Sequence, residues 1–337
     1  MAVLSGFISK EEIEAGEEIE MTPMVFAKGL ADSGFWGDKL FGRIMVEDLE
    51  VGQGFQRKAC RARAIYGLEP VFESGRTGVI KIRNLIAFGG RSENTLMERN
   101  YDITIQECKI QNSSREYCKI FAAEARAIPA FGPVPEIIPV YLIYRPANNV
   151  PYATMEEDLP GQFERFCGRE RDGSLAPASA SEVGHKCTAF QHWLYQWTNG
   201  NLLVTDLEGV GWKVTNVRIV TRTKGYQGLK DSCCPALLEH FAASHRCNRY
   251  CELLALKSLE TPQPPAKAKG SRSPISNRKA PSAQASPQLQ KKGLASPQPL
   301  RKGSVSPKSA RRCPEVTESQ PPARPKAGDN GKASRTQ

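Results

Sequence analysis

Seven residues, His245-Arg-Cys247-Asn-Arg-Tyr-Cys251, gather three soft metal ligands in a chain with only four histidines. On a helix, Cys247 and Cys251 stand four apart and share a face. His245 reaches that face only if the backbone bends just ahead of the helix. Imidazole nitrogen and thiolate sulfur are the ligands of closed tetrahedral zinc sites. This segment therefore offers three of four positions, and the fourth must come from elsewhere. A second candidate is Asp206, which ends the apolar stretch Leu202–Thr205 and is followed by Gly209 and Gly211. A carboxylate at a strand end facing a cleft is placed to hold a metal or take a proton. His192 precedes that strand on a stretch of helical periodicity. Lys81 stands between Ile80 and Ile82, where pattern alone turns it to water.

These residues need elements to hold them. Arg57–Tyr66 and Thr77–Ile82 read as strands, with Gly67 and the Gly75–Gly78 stretch as turns. Asn112–Ala127 has helical periodicity, with Tyr117, Ile120, Phe121 and Ala125 on one side. Ile137–Tyr144 is an apolar run of strand length, ended by Arg145-Pro146. The loop Gly168–Ser181 separates the two halves. Val183–Trp197 then reads as a helix, Asn199-Gly200 as a turn, Leu202–Thr205 as a buried strand and Asp206–Gly211 as the loop it feeds. A last helix starts with Pro235 in its first turn, breaks near Ser244 and resumes as Cys247–Lys257.

The net charge of +10 is unevenly spread. Residues 261–337 hold 16 Lys/Arg against 3 Asp/Glu, a formal +13, which leaves the first 260 residues at −3. The basic balance belongs to the tail and says nothing of a nucleic-acid face on the rest. The tail, rich in Pro, Ser, Ala, Lys and Arg, reads as disordered because it holds too little apolar area to offset ordering. Its Ser-Pro sites at Ser273, Ser286, Ser296 and Ser306 suit proline-directed phosphorylation. It has no interleaved aromatics to stack bases, which makes nucleic acid an unexpected partner. No apolar run is long enough to span a membrane, and no basic stretch precedes the first short apolar run as in a signal peptide. Ten scattered cysteines, with one adjacent pair at Cys233-Cys234, then suit free thiols plus a metal site in an intracellular protein rather than a disulfide framework.

Several motifs together resemble the alpha-type (atypical) protein kinases over about residues 45–260. They are Thr188-Ala-Phe-Gln-His192, Leu203-Val-Thr-Asp206-Leu-Glu-Gly-Val-Gly211 and the His245–Cys251 segment. Val79-Ile-Lys81 is similar to the family's phosphate-binding lysine strand. Tyr141–Tyr144 resembles its hinge, and Tyr152–Glu164 the segment after the hinge. The nearest likeness is to the C-terminal kinase region of the large vertebrate muscle and heart alpha-kinases. The resemblance implies an α+β, two-lobed alpha-kinase-like fold with a structural zinc in the C-lobe, on His192, His245, Cys247 and Cys251. It implies ATP and magnesium as cofactors, Lys81 on the nucleotide phosphates, and Asp206 on metal or the hydroxyl nucleophile. Glu116 and Glu124 are the candidate acids for orienting Lys81. Residues 1–44 then read as a leader belonging to a longer protein, 45–260 as the kinase-like domain and 261–337 as the tail.

Departures from the family pattern fall in the cleft. Glu208 stands where the family carries Gln, and Asn216 where it carries a second Asp. An amide oxygen still coordinates magnesium, more weakly, but takes no proton. The family's glycine-rich loop survives only as Gly225-Tyr-Gln-Gly228-Leu-Lys230. Two readings stay open: a protein serine/threonine kinase with Asp206 and Asn216 catalytic and Lys81, Glu208, Gly225 and Gly228 on the cofactor, or a pseudokinase scaffold acting through protein–protein contacts. Cytoplasmic, nuclear and sarcomeric locations are all compatible with the chain.

Overall fold

A computed structural model of the chain describes residues 8–53, 57–83 and 93–259. The tail, with Ser273, Ser286, Ser296 and Ser306, lies outside the described residues. Helix α1 (Lys10–Ala15) leads into strands β1 (Glu17–Thr22), β2 (Met24–Phe26), β3 (Gly34–Trp36), β4 (Leu40–Gln53), β5 (Arg57–Tyr66) and β6 (Thr77–Arg83). Helix α2 (Glu93–Arg126) comes next, then β7 (Glu136–Ile137), β8 (Val140–Tyr144), β9 (Tyr152–Glu157) and β10 (Glu164–Cys167). Helix α3 (Glu182–Trp197) precedes β11 (Leu202–Thr205), β12 (Leu207–Val210), β13 (Lys213–Thr215) and β14 (Arg218–Thr221). Helices α4 (Pro235–Ser244) and α5 (Arg249–Leu253) complete the described part.

The first lobe is a closed barrel in the order β1-β4-β5-β6-β9-β8. Strand β5 shows why it closes. Its Cys60, Ala62 and Ala64 point in, while Arg61 and Arg63 point out to Asp158 and Glu12 at 2.6 and 2.7 Å. Ile19, Met21, Ile44, Ile80, Ile143 and Met155 fill the interior. Glu17–Thr22, ahead of position 45, is thus part of this lobe: β1 pairs with both β4 and β8. The boundary expected at 45 misses this because Glu17–Thr22 alternates charged and apolar residues over only six positions.

The second lobe packs α3 and part of α2 against short sheets. Its buried core includes Phe121, Phe131, Phe166, Phe190, Trp193 and Val204. The apolar run 137–144 is two strands, not one. Pro139 has no N–H to donate, and at that point the chain leaves β7, which pairs with β13, for β8 in the barrel. Helix α2 also begins far ahead of the expected Asn112. Its first half buries polar Asn100 and Thr104 beside Cys108, with Tyr101 and Ile105 packed against the same cluster, so polar and apolar side chains share the covered face. The Asn100 and Asn112 side-chain amides act as stand-in strand edges. Asn100 donates to the Tyr152 carbonyl and accepts from the Tyr152 N–H, both at 2.9 Å, and Asn112 does the same with Val140 at 2.9 and 3.2 Å. No described helix is long and apolar enough to cross a membrane.

Candidate active site and metal centre

Lys81 does not face water. Ile80 enters the barrel core, so period-two alternation turns Lys81 off the opposite face, which is covered, leaving Lys81 8% exposed. It donates to Glu156 Oε1 at 2.6 Å and to Asn216 Oδ1. Glu156, on β9, is itself 3% exposed and accepts a second bond from the Thr215 hydroxyl at 2.8 Å. Gln111 of α2 donates to Thr215 Oγ1 at 3.0 Å and ties this cluster to the helix. Burial lowers the Lys81 pKa, and the Glu156 carboxylate opposes that shift. The acid that orients Lys81 is therefore Glu156 rather than Glu116 or Glu124. Those two are engaged elsewhere, Glu116 with Lys119 at 2.7 Å and Glu124 with the Trp193 indole at 2.7 Å.

Asp206 and Asn216 bracket one hairpin. Strand β12 follows Asp206, β13 precedes Asn216, and Glu208 pairs with Thr215 across them. The expected loop Asp206–Gly211 is thus mostly strand. Gly209 allows it, because a Cβ there would meet the Lys213 carbonyl oxygen at 1.9 Å. Both bracketing residues adopt φ 59°, a left-handed conformation that Asp and Asn tolerate better than most residues. Asn216 Nδ2 donates to Glu208 Oε1, so Glu156, Lys81, Asn216 and Glu208 form one chain of hydrogen bonds. Asp206 is held separately by Arg169, whose Nε and terminal nitrogen donate to Oδ2 at 3.1 and 2.7 Å. Gly225 and Gly228 lie on a turn packed against α2, where Gln106 donates to the Gly228 carbonyl at 3.3 Å and Tyr117 bonds Gln227. The residues that the sequence did not single out are Glu156, Thr215, Gln111 and Arg169. Period two along Tyr152–Glu157 is the signal that puts Glu156 beside Thr154 on one face.

The His/Cys cluster assembles as one unit. The ligand atoms of His192, His245, Cys247 and Cys251 all lie within 4.8 Å of one another. Cys247 Sγ is 3.7 Å from His192 Nδ1, and Cys251 Sγ is 3.7 Å from His245 Nε2. A tetrahedron with metal–nitrogen and metal–sulfur bonds of about 2.0 and 2.3 Å has nitrogen–sulfur edges of roughly 3.5 Å, so the four donors fit such an ion. His192 Nε2 faces the Lys257 carbonyl at 2.9 Å, which fixes the ring and leaves Nδ1 toward the cluster. The local fold differs from the expected helix Cys247–Lys257. His245 caps α4 in extended conformation, and Asn248 caps α5 by accepting from the Tyr250 and Cys251 N–H groups at 2.9 and 3.3 Å. Cys247 therefore reaches the cluster from a loop, not from a shared helical face. Burial, with His192 alongside, pushes the His245 pKa down to about 4, and burial pushes the Cys251 thiol up to about 11.

The sequence model of the alpha-kinase family matches residues 52–251. The chain is 66% identical to alpha-protein kinase 3 of Mus musculus over 276 residues, which is 80% of this chain and 16% of that protein. It is 45% identical to alpha-protein kinase 2 of Mus musculus over 272 residues, 80% of this chain and 13% of that protein. It thus spans less than a fifth of the length of either relative. Among solved structures, the alpha-kinase domain of myosin heavy chain kinase A in complex with ADP has a TM-score of 0.56 at 17% identity, over 74% of this chain and 100% of that one. That likeness concerns the fold, and it agrees with a barrel lobe set on a mixed second lobe. With the matched residues running from β4 into α5, the chain belongs to the alpha-kinase family.

Proposed function

We propose that this domain transfers phosphate from ATP to protein serine or threonine, with Lys81 on the nucleotide phosphates and Asp206 at the acceptor or its metal. The observation that carries the reading is the buried Lys81–Glu156 pair. A lysine taken out of water and held by a carboxylate is costly to retain unless its charge has a use or excellent compensation. Phosphoryl transfer rests on positioning and on neutralising charge, and a fixed ammonium supplies both. Magnesium, when bound, would neutralise phosphate charge. The oxygen donors that suit so hard a cation are Asp206, Glu208 and the Asn216 amide. Glu208 is one hydrogen bond from Asn216, so the carboxylate that position 216 lacks is supplied from the neighbouring strand.

The four-donor cluster we assign to a structural zinc that staples α3 to the end of α4, the loop after it and α5, with the donor distances as support. Protein substrates or scaffold partners, the tail's Ser-Pro sites and a cytoplasmic, nuclear or sarcomeric location belong to the same reading. One observation favours a pseudokinase: Asn216 donates and accepts but cannot take a proton. Radiolabelled phosphate transfer with Mg²⁺ or Mn²⁺ decides between the two, comparing the native chain with Asp206→Ala and Asn216→Asp. Transfer by the native chain that Asp206→Ala abolishes supports the kinase. Transfer by Asn216→Asp alone refutes it and leaves the scaffold.

A further inference from the structure

The adjacent pair Cys233 and Cys234 belongs neither to the Glu156–Lys81–Asn216–Glu208 chain nor to the His/Cys cluster, and both residues are free and exposed. Their backbone is pinned. The Thr221 N–H donates to the Ser232 carbonyl at 2.8 Å, and the Cys234 N–H donates to the Thr221 carbonyl at 3.0 Å. Thr221 ends β14, whose Arg218 is opposite Thr205, the neighbour of Asp206. Cys233 Sγ lies 3.5 Å from the Arg222 carbonyl. Cys234 sits at the head of α4, directly before Pro235, and its side chain makes no capping bond.

Both cysteines line a cavity of about 560 Å³. That volume falls within the range of small-molecule sites. The cavity's other walls bring five cationic side chains, among them Arg169, Arg218 and Lys230, against three carboxylates. The two cysteines thus border a cavity whose lining holds two more cations than carboxylates, with Arg83 paired to Glu107 and Arg169 to Asp206. The chemistry that suits the pair is a small disulfide carrying carboxylates.

We propose that Cys233–Cys234 is a thiol–disulfide exchange site for an acidic low-molecular-weight disulfide of the glutathione type, whose carboxylates seat in this cavity. One cysteine thiolate attacks a sulfur of the reagent. The reagent's S–S bond breaks and a protein–glutathione S–S bond forms. The released glutathione thiolate takes up the proton that the cysteine gave up. The protein sulfur is oxidised and the departing sulfur reduced by the same electron pair. The mixed disulfide is the end product, because closure between the two neighbours is strained. Consecutive Cα atoms across a trans peptide are about 3.8 Å apart, short of the roughly 4.4–6.8 Å that a relaxed disulfide spans. The two bonds to Thr221 oppose the twist that closure needs. Arg169 walls the same cavity and holds Asp206, so the adduct's carboxylates meet the group that fixes that residue.

The test uses the full reduced chain incubated with glutathione disulfide at low ionic strength, read by intact mass and peptide mapping. One glutathionyl group is expected on the peptide holding Cys233 and Cys234, removable with dithiothreitol. It forms at least about tenfold faster than the adduct of neutral hydroxyethyl disulfide, and the ratio falls as salt rises. A Cys233→Ser/Cys234→Ser double variant loses the adduct, and Lys230→Gln narrows the preference. First labelling at Cys247 or Cys313, equal rates for the two reagents, or an internal disulfide in place of the adduct each overturns the proposal. The readout is a mass, so it stands or falls apart from phosphate transfer.

Discussion

The pair Lys81–Glu156 admits a sharp thermodynamic test. Glu156→Leu leaves an ammonium 8% exposed with the Asn216 amide oxygen as its remaining partner in the cluster. Removing one member of a buried ion pair costs about 3–5 kcal/mol. Lys81→Met strands a carboxylate that keeps the Thr215 hydroxyl, so about 3 kcal/mol, the low end of the same range, applies. The double variant Lys81→Met/Glu156→Leu removes both charges and leaves neutral Thr215 and Asn216 short of one partner each, about 2 kcal/mol in all. Additive behaviour would instead give about 7 kcal/mol. In a domain of this size the Glu156→Leu loss lowers Tm by roughly 6–20 °C, and the double variant recovers about half of it. Urea unfolding at fixed metal content measures all four corners of the cycle. A double variant as unstable as the two single losses combined refutes the claim that each charge is retained for the other. Nucleotide titration separates stability from function, since Lys81→Met, the double variant and Glu156→Leu rank differently in stability while both variants that lack Lys81 lose affinity.

Three other outcomes can be measured. Native mass spectrometry is expected to find one zinc per chain. At free zinc 1,000-fold above its Kd, mass action adds about 4 kcal/mol, or roughly 8–16 °C of Tm, which a chelator removes; a zinc-free native mass sinks the assignment. In the cleft, Glu208→Gln is expected to lower phosphate transfer by roughly 10²–10³, and Glu208→Gln/Asn216→Asp to restore it by returning a carboxylate to position 216; a double variant no better than Glu208→Gln refutes relocation of the charge. Glu69 accepts from Ser74 Oγ at 2.6 Å and the Gly67 N–H at 3.0 Å, and the Ser74 bond leads in holding its pKa below 4.5. Its stabilisation is therefore present above about pH 4.5 and lost as pH falls through the lower folded value. Glu69→Gln flattens the acid limb of the stability profile, and an unchanged limb contradicts the linkage.

The His/Cys cluster was legible because soft ligands at close spacing carry their chemistry in their identity, although Cys247 arrives from a loop that helical spacing conceals. Helix α3 and strand β11 were legible because large apolar residues dominate what they bury, Phe190, Trp193 and Leu194 on the helix and Leu202, Leu203 and Val204 on the strand. The Lys81 environment was not. Its partner Glu156 is 75 residues away, and an alternating Ile-Lys-Ile pattern is the same whether the lysine meets water or a second lobe. The first half of α2 escaped for a related reason, since buried Asn100 and Thr104 interrupt the apolar series Tyr101, Ile105 and Cys108 on its covered face.

Helix α2 has a mechanical consequence. Its 34 residues, at about 1.5 Å each, make a rod of about 50 Å. The rod is bolted to barrel strands through Asn100 and Asn112, and to the second lobe through Gln111 and Glu124. Rotation of the barrel away from the second lobe therefore has to break one of these two sets of hydrogen bonds, at Asn100 and Asn112 or at Gln111 and Glu124.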